Sequence, residues 1–337
     1  MSYIVTIQPS GHQFNVETNE SVLDAALRQG FNLSYGCRNG ACGSCKGKVL
    51  SGQIHYGDIE PTALDKDDRA NNMALFCQAI PEGDITIEAH EVGTVKDIPI
   101  KTLPCKVSRL ERLNHDVMLV ELTLPATERM QFLAGQYVDF LLPDGRRRSF
   151  SIANAPHHDE IIELHIRHIE GGRFTSEVFD NLKLKSIMRI EGPLGSFFLR
   201  EDSDRPIIFM AGGTGFGPIK GIIEHALAAN IKRPMHIYWG VRSKQDLYMH
   251  DIAQAWADQY EHIHYTPVLS EPKQEDNWQG RSGYVHDVIC ADFADLTNFE
   301  IYGSGPPAMI HAGTDAFAKQ GLNLDYYFSD AFEFAKD

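Results

Sequence analysis

The chain has 337 residues, 43% of them hydrophobic and 23% charged, with a formal net charge of −15. That length suits two or three domains of ~100–200 residues each, and the composition is that of an ordinary globular protein. The acidic balance argues against a nucleic-acid partner, and no apolar run approaches the ~18–20 residues of a membrane span. The opening Met1-Ser-Tyr-Ile lacks a basic segment followed by an apolar one, so a reducing cytoplasm is the expected compartment.

Residues 3–7 and 13–17 read as two short strands joined by a turn at Pro9-Ser-Gly-His12. Ser21 then caps a helix running to about Arg28, with Asp24 three residues on and Gly30 ending it. Next comes Tyr35-Gly-Cys37-Arg-Asn-Gly-Ala-Cys42-Gly-Ser-Cys45, followed at a distance by Cys77. The spacing C-x4-C-x2-C with a remote fourth cysteine is the plant-type [2Fe–2S] pattern, and soft thiolates grouped this way want a soft metal centre. Glycines at 36, 40 and 43 let the backbone wrap a compact inorganic core. A structural zinc site would usually show two C-x2–4-C knuckles. Disulfides fit a reducing compartment poorly, and Cys105 and Cys290 stand alone. Strands at 46–50 and 85–88 complete a small β-rich unit with one long helix, and the proline-bearing segment 93–103 reads as a linker.

From 105 to about 200 the segments are short, β-branched and turn-bounded, which suggests an antiparallel barrel or sandwich. Acidic and basic residues give −6 for residues 1–95 (12 and 6), −2 for 96–204 (17 and 15) and −7 for 205–337 (17 and 10). The least acidic third holds Arg146-Arg147-Arg148, a cationic patch for an anionic ligand or a solvated arginine turn. Arg148-Ser149-Phe150-Ser151 sets an aromatic between hydroxyls behind an arginine, a combination able to hold a flat ring system and a diphosphate. About 20 residues later, Gly171-Gly172-Arg173-Phe174-Thr175-Ser176 places paired glycines at a helix start, where backbone N–H groups bind anions.

After Arg205 strand and helix alternate to the end, the mark of a parallel sheet. A buried strand at 206–211 leads into Gly212-Gly213-Thr214-Gly215-Phe-Gly-Pro218 and a helix at 219–229, the context that turns a glycine string into a phosphate site. The acidic residue that would hold an NAD ribose after the second strand is absent from Gly240-Val-Arg242-Ser-Lys244. Arg242 and Lys244 there receive a 2′-phosphate or are solvated turn residues. Tyr302-Gly-Ser304-Gly305-Pro306-Pro-Ala-Met309 forms a last glycine–proline motif.

These motifs resemble those of the ferredoxin–NADP+ reductase superfamily over nearly the whole chain. Arg148-Ser-Phe-Ser151 is similar to its R-x-[YF]-[ST] flavin motif, and the Gly171–Ser176 segment to its second flavin-phosphate motif. Gly212–Pro218 resembles its nicotinamide-nucleotide motif, and Tyr302–Met309 its [YF]-x-C-G-P-P-x-M. The resemblance implies an α/β multidomain chain: a β-grasp [2Fe–2S] ferredoxin domain (1–92), the linker (93–103), an antiparallel β-barrel FAD domain (104–203) and a doubly wound parallel-sheet NAD(P) domain (204–337). It implies that Cys37, Cys42, Cys45 and Cys77 hold the cluster. By the same analogy Arg148 pairs with the FAD pyrophosphate, Phe150 lies against the isoalloxazine, Ser151 approaches its N5, and the strand His165-Ile166-Arg167 lines the FAD. Ser304 stands where the family has a cysteine beside the nicotinamide. Phe332 matches the C-terminal aromatic that covers the flavin, or is a core phenylalanine.

This order of domains is that of single-chain reductases serving Rieske dioxygenases and diiron monooxygenases. Trp239–Tyr248, Pro267–Pro272 and Trp278–His286 look nearest to the subgroup of CDP-6-deoxy-3,4-glucoseen reductases. The implied activity is an NAD(P)H-dependent reductase that passes electrons through FAD and the cluster to an oxygenase, monooxygenase or sugar-dehydrase component. NADH is the implied donor, with NADPH possible, and a monomer is expected. Two rivals are a self-sufficient flavin or ferric reductase and a non-enzymatic redox-sensing module.

Overall fold

The computed structural model describes residues 2–31, 33–36, 38, 40–41, 43–57, 59, 61–89 and 98–332. It divides into two compact units, Met1–Pro99 and Ile100–Asp337.

In the first unit, strands Ser2–Gln8 and Gln13–Glu17 form the expected antiparallel hairpin, with Gly11 at φ +73° in its turn. Val5 and Ile7 face inward at a period of two and are sealed by Phe14 and Val16. Ser21 caps helix Val22–Arg28 by accepting from the Asp24 amide, and the helix buries Val22, Leu23, Ala25 and Ala26 against the sheet. Ser2–Gln8 pairs in parallel with the last strand, Ile85–Glu88, which pairs antiparallel with Lys46–Ser51, and that in turn with Met73–Leu75. A central parallel pair with a helix across one face is the β-grasp architecture the resemblance implied.

The second unit holds the barrel and the parallel sheet. Six strands run in the order Arg147–Ser151, Tyr137–Leu141, Ile187–Leu194, Lys101–Arg112, Val117–Thr123 and Ile161–Arg167, with every pairing antiparallel. A bridge between Ile152 and Leu164 closes the ring. Its interior is apolar, with Val120, Leu122, Val138, Ile152, Leu164 and Ile166 fully buried.

The linker expected at 93–103 overlaps the first barrel strand. Residues 93–97 lie outside the described residues, and Lys101 already belongs to the long strand Lys101–Arg112. Pro104 is tolerated there because residues 101–105 pair only with Ile187–Leu194, so the other edge needs no donor at that point.

The parallel sheet runs Arg281–Ser282, Ile263–Leu269, Met235–Val241, Ile207–Gly212, Glu300–Gly305 and Tyr327–Ala331. Strand order reverses on either side of Ile207–Gly212. The carboxyl end of that strand is therefore the switch point, where open α/β sheets bind ligands. Helix Phe216–Ala228 starts three residues earlier than its apolar pattern suggested, because a short turn at Gly213–Gly215 leads directly into it. Phe216 stacks on Trp239 at 4.0 Å and 9°, which anchors the helix start to the sheet.

Candidate functional site

The cysteine loop is built on short, local links. Cys45 and Cys77 are both buried, on either side of the Lys46–Leu75 register pair, and the Phe76 amide donates to the Cys45 carbonyl at 3.1 Å. Cys77 sits in the turn after Met73–Leu75 rather than in a strand. The helix start holds that turn, with the Leu23 amide donating to Phe76 and the Val22 amide to Ala79, both at 2.9 Å. Arg38 pairs with Asp24 at 2.7 Å, tying the cysteine loop to the same helix.

Gly40 and Gly43 adopt φ +81° and +78°, and a Cβ on Gly40 would fall 2.7 Å from Gln78 Oε1. Cys37 and Cys42 lie outside the described residues. Two buried cysteine sulfurs beside left-handed glycines are a soft donor set that fits an iron–sulfur centre.

In the barrel, two of the three clustered arginines are taken up by carboxylates. Arg146 pairs with Asp144 at 2.7 Å, and Arg147 with Glu191 at 2.5 Å and Asp139 at 3.3 Å. Arg148, the third, donates to the Arg147 carbonyl at 2.8 Å. Ser149 Oγ donates to Asp139 at 2.6 Å and so braces the strand. Phe150 is half-buried, its ring 5.8 Å from Phe140 and 5.6 Å from Phe174.

Helix Arg173–Asp180 begins at Gly172 with no side-chain cap, after Gly171 at φ +79°. The hydroxyls expected to meet phosphate are used locally. Thr175 Oγ1 accepts from the Ile169 amide at 3.1 Å and donates to the Gly172 carbonyl at 3.2 Å, while Ser176 Oγ bonds His168 at 3.2 Å. The backbone amides at the helix start are left without a side-chain cap.

Three other expectations change in kind. Phe174 is a barrel-core side chain, packed on Phe140 at 5.3 Å. Ile166 is likewise in the barrel core. His165 points outward into the seam with the parallel sheet, between Glu163 and Tyr248 at 3.0 Å each. Strand alternation explains the split, since neighbouring residues face opposite sides.

At the switch point two glycine motifs interlock. A Cβ on Gly215 would lie 2.0 Å from the Ser304 carbonyl oxygen, and one on Gly212 would lie 2.6 Å from Met309 Sδ and 2.8 Å from Pro306. Gly305, at φ +145°, approaches Gly212 backbone to 2.9 Å from where its own Cβ would stand. These glycines serve close backbone contact, and helix Phe216–Ala228 starts behind them with no side-chain cap. Arg167, paired with Asp116 at 2.7 Å, reaches over Gly213. Arg242 is exposed just past the end of strand Met235–Val241, at the same edge of the sheet.

Ser304 is fully buried beneath the Gly215 turn, and its Oγ has no hydrogen-bond partner among the described residues. An unmet polar group of this kind is uncommon outside sites that take a ligand.

Ser151, Ser304 and Phe332, the candidates for the reacting centre, are linked through a residue that sequence reasoning missed. Ser151 Oγ donates to Asp330 Oδ2 at 2.8 Å, Asp330 is the register partner of Ser304, and the Phe332 amide donates to the Gly305 carbonyl at 2.8 Å. The only sequence signal for Asp330 is a carboxylate two residues before the matched aromatic. The buried Glu163–Lys220 pair in the seam was also missed, because it joins residues 57 positions apart on elements of opposite period.

Comparison with known proteins covers each region in turn. Residues 5–82 match the 2Fe-2S iron-sulfur cluster binding domain, 104–199 the oxidoreductase FAD-binding domain and 209–315 the oxidoreductase NAD-binding domain. The chain is 41% identical over 332 residues to the CDP-6-deoxy-L-threo-D-glycero-4-hexulose-3-dehydrase reductase of Yersinia pestis, covering 98% of this chain and 99% of that one. It is 35% identical over 327 residues to the phenol hydroxylase P5 protein of Acinetobacter pittii, covering 96% and 92%. Among solved structures it is similar to a cytochrome P450 reductase from Amycolatopsis, with a TM-score of 0.80, 32% identity and 98% of each chain covered.

Proposed function

The chain belongs to the iron–sulfur flavoprotein reductases that join a [2Fe–2S] domain to FAD- and NAD-binding domains, and from that premise we propose that NADH is its electron donor and a protein its acceptor. When bound, FAD takes a hydride and releases electrons singly to the cluster, the conversion that couples a two-electron donor to one-electron chemistry. The observation that carries this reading is the convergence of Ser151, Asp330, Ser304 and Phe332 beside the Gly212–Gly215 turn.

Each group of residues has one task. Arg148 and the amides at the start of helix Arg173–Asp180 hold the flavin diphosphate. Phe150 offers its open face to the ring system. Ser151, oriented by Asp330, presents its hydroxyl to the redox edge, and Phe332 excludes water there. Gly212–Gly215, with the helix start behind them, receive the phosphates of the nicotinamide nucleotide, and Arg242 stands at its adenosine end. Cys37, Cys42, Cys45 and Cys77 hold the cluster. The proposed domain limits are 1–92 for the cluster and 204–337 for the nucleotide, and the flavin domain, proposed at 104–203, extends back to take in the whole of strand Lys101–Arg112.

The acceptor is a sugar-dehydrase component, the partner class in the name of the Yersinia pestis relative, with oxygenase components as the alternative class. We place the protein in the cytoplasm. The reducing conditions there suit labile thiolate ligands, and among the described residues no helix is long and apolar enough to cross a membrane.

Purified protein is expected to carry iron, acid-labile sulfide and FAD at two irons and two sulfides per flavin, as a [2Fe–2S] centre requires. Flavin without iron in anaerobically prepared protein would sink the reading. Paired kcat/KM values for NADH and NADPH test the donor, and a strong NADPH preference would count against it.

A further inference from the structure

The outward face of barrel strand Ile161–Arg167 presents Glu163, His165 and Arg167, alternating at the period of a strand. Each meets one residue of the segment that runs from the glycine turn into helix Phe216–Ala228. Arg167 Nη1 stands 3.3 Å from where a Gly213 Cβ would be, and His165 Nδ1 stands 3.3 Å from that of Gly217. Glu163 Oε1 is 3.1 Å from Lys220 Nζ. Positions 213, 217 and 220 follow the four- and three-residue spacing of one helix face. A Cβ on Gly221 would approach the Asn154 carbonyl to 3.0 Å, so glycine lets the helix lie directly on the barrel.

Lys220 Nζ also donates to the Ala153 carbonyl at 3.2 Å and pairs with Glu224 at 2.9 Å. Glu163, His165 and Lys220 are 8%, 7% and 6% exposed. A buried ion pair adds little stability over an apolar pair of the same size, whereas removing one partner strands a charge. The seam around it is not solidly packed. A cavity of about 580 Å³ opens on one side and one of about 390 Å³ on the other, and both are lined by Glu163 and Lys220. The pair is a polar pin between two open spaces, at the point where strand and helix are in register.

We propose that Glu163 and Lys220 are positioning residues that hold the nicotinamide phosphate turn in register with the flavin barrel, acting through strand Ile161–Arg167 and helix Phe216–Ala228. The proposal rests on reading the Gly212–Gly215 turn as the NADH site. A pin is needed because transfer between two bound rings tolerates little error, and a displacement of about 1 Å costs on the order of a hundredfold in rate.

The test uses the full FAD-loaded chain with Lys220→Met, Lys220→Arg and Glu163→Gln. Three quantities are read: amide hydrogen exchange of residues 213–221, the dissociation constant for NAD+, and the rate of flavin bleaching at saturating NADH. Lys220→Met and Glu163→Gln are expected to raise exchange over 213–221 and to slow bleaching about tenfold or more. The NAD+ dissociation constant should change less than about threefold, and Lys220→Arg should restore exchange and rate. Wild-type exchange over 213–221 in Lys220→Met overturns the proposal, as does a rate loss matched by an equal loss of NAD+ affinity. If Lys220→Met does not fold, Glu163→Asp withdraws the charge by one methylene, and an unchanged rate and exchange in that variant overturns it equally. Failure of NADH to bleach the wild type would instead sink the functional reading, and the exchange comparison would still decide whether the pin exists.

Discussion

Gly215→Ala is the perturbation that most sharply probes the interlocked glycine motifs. Its new Cβ would stand 2.0 Å from the Ser304 carbonyl oxygen, 2.4 Å from the Ser304 carbonyl carbon and 2.9 Å from the Gly305 nitrogen. All three are backbone atoms of the adjacent strand Glu300–Gly305, so no side chain can swing aside. Restoring an ordinary contact requires the turn to withdraw by about 1.4 Å or more, and overpacking of this kind costs roughly 1–3 kcal/mol. For a unit of this size each 1 kcal/mol lowers Tm by roughly 2–4 °C, so a fall of about 2–12 °C is expected.

The withdrawn turn is also the phosphate site. If about 2 kcal/mol of that cost appears in nucleotide binding, the NAD+ dissociation constant rises roughly 30-fold. Calorimetric melting and NAD+ titration of FAD-loaded protein check both figures. Gly83→Ala is the control, since nothing lies within 4 Å of its Cβ position. Wild-type Tm and wild-type NAD+ affinity in Gly215→Ala would refute the contact geometry and the role of the turn together.

Asp330→Asn keeps the shape of the Ser151 partner but replaces a charged acceptor, a change worth roughly 1 kcal/mol. Flavin reduction by NADH should slow about fivefold to tenfold with Tm nearly unchanged, and an unaltered rate would remove Asp330 from the site. Cys77→Ser should abolish the iron–sulfur absorption and electron delivery to one-electron acceptors while NADH still bleaches the flavin. Retention of the full iron content would show that Cys77 is not a ligand.

Stability should fall on acidification in two stages. Burial holds His165 below its ordinary 6.5, and Glu163 sits at about 2 against an ordinary 4.5, because the His165 hydrogen bond and the Lys220 charge overcome the upward push of burial. Both folded values lie below the unfolded ones, so the unfolded chain binds more protons as pH drops. Stability present above about pH 6.5 is then lost, first through His165 and further from 4.5 towards 2 through Glu163. Melting curves at descending pH read this directly. Glu163→Gln should flatten the lower stage, and an equally steep loss there would assign it elsewhere.

Much of the fold is legible in the sequence because it is written in short-range signals. Ser21, Asp24 and Gly30 mark the first helix, and the alternation of Val5 and Ile7 marks the first strand. The buried run Ile207–Gly212 before a glycine turn marks the switch-point strand. The linker expected at 93–103 overlaps the start of Lys101–Arg112, a strand half-paired along its first residues, because Pro99 and the flanking Pro104 outweighed that pattern.

Candidate site residues can be named from sequence where a motif is contiguous, as with Arg148–Ser151 and Gly212–Gly215. Direction was not. The inward turn of Phe174 and Ile166 and the outward turn of His165 follow from strand and helix phase, which a motif does not carry. Asp330 and Lys220 were missed because each acts across elements distant in sequence, through one hydrogen bond or ion pair that leaves no periodic trace.

The relay from nicotinamide to cluster is tested most directly by anaerobic addition of NADH to the full chain, followed by electron paramagnetic resonance of the frozen sample. The expected result is bleaching of the flavin together with a reduced [2Fe–2S] signal, lost in Cys77→Ser. A fully reduced flavin with no cluster signal, even in the presence of excess NADH, would contradict the relay and leave a flavin reductase in its place.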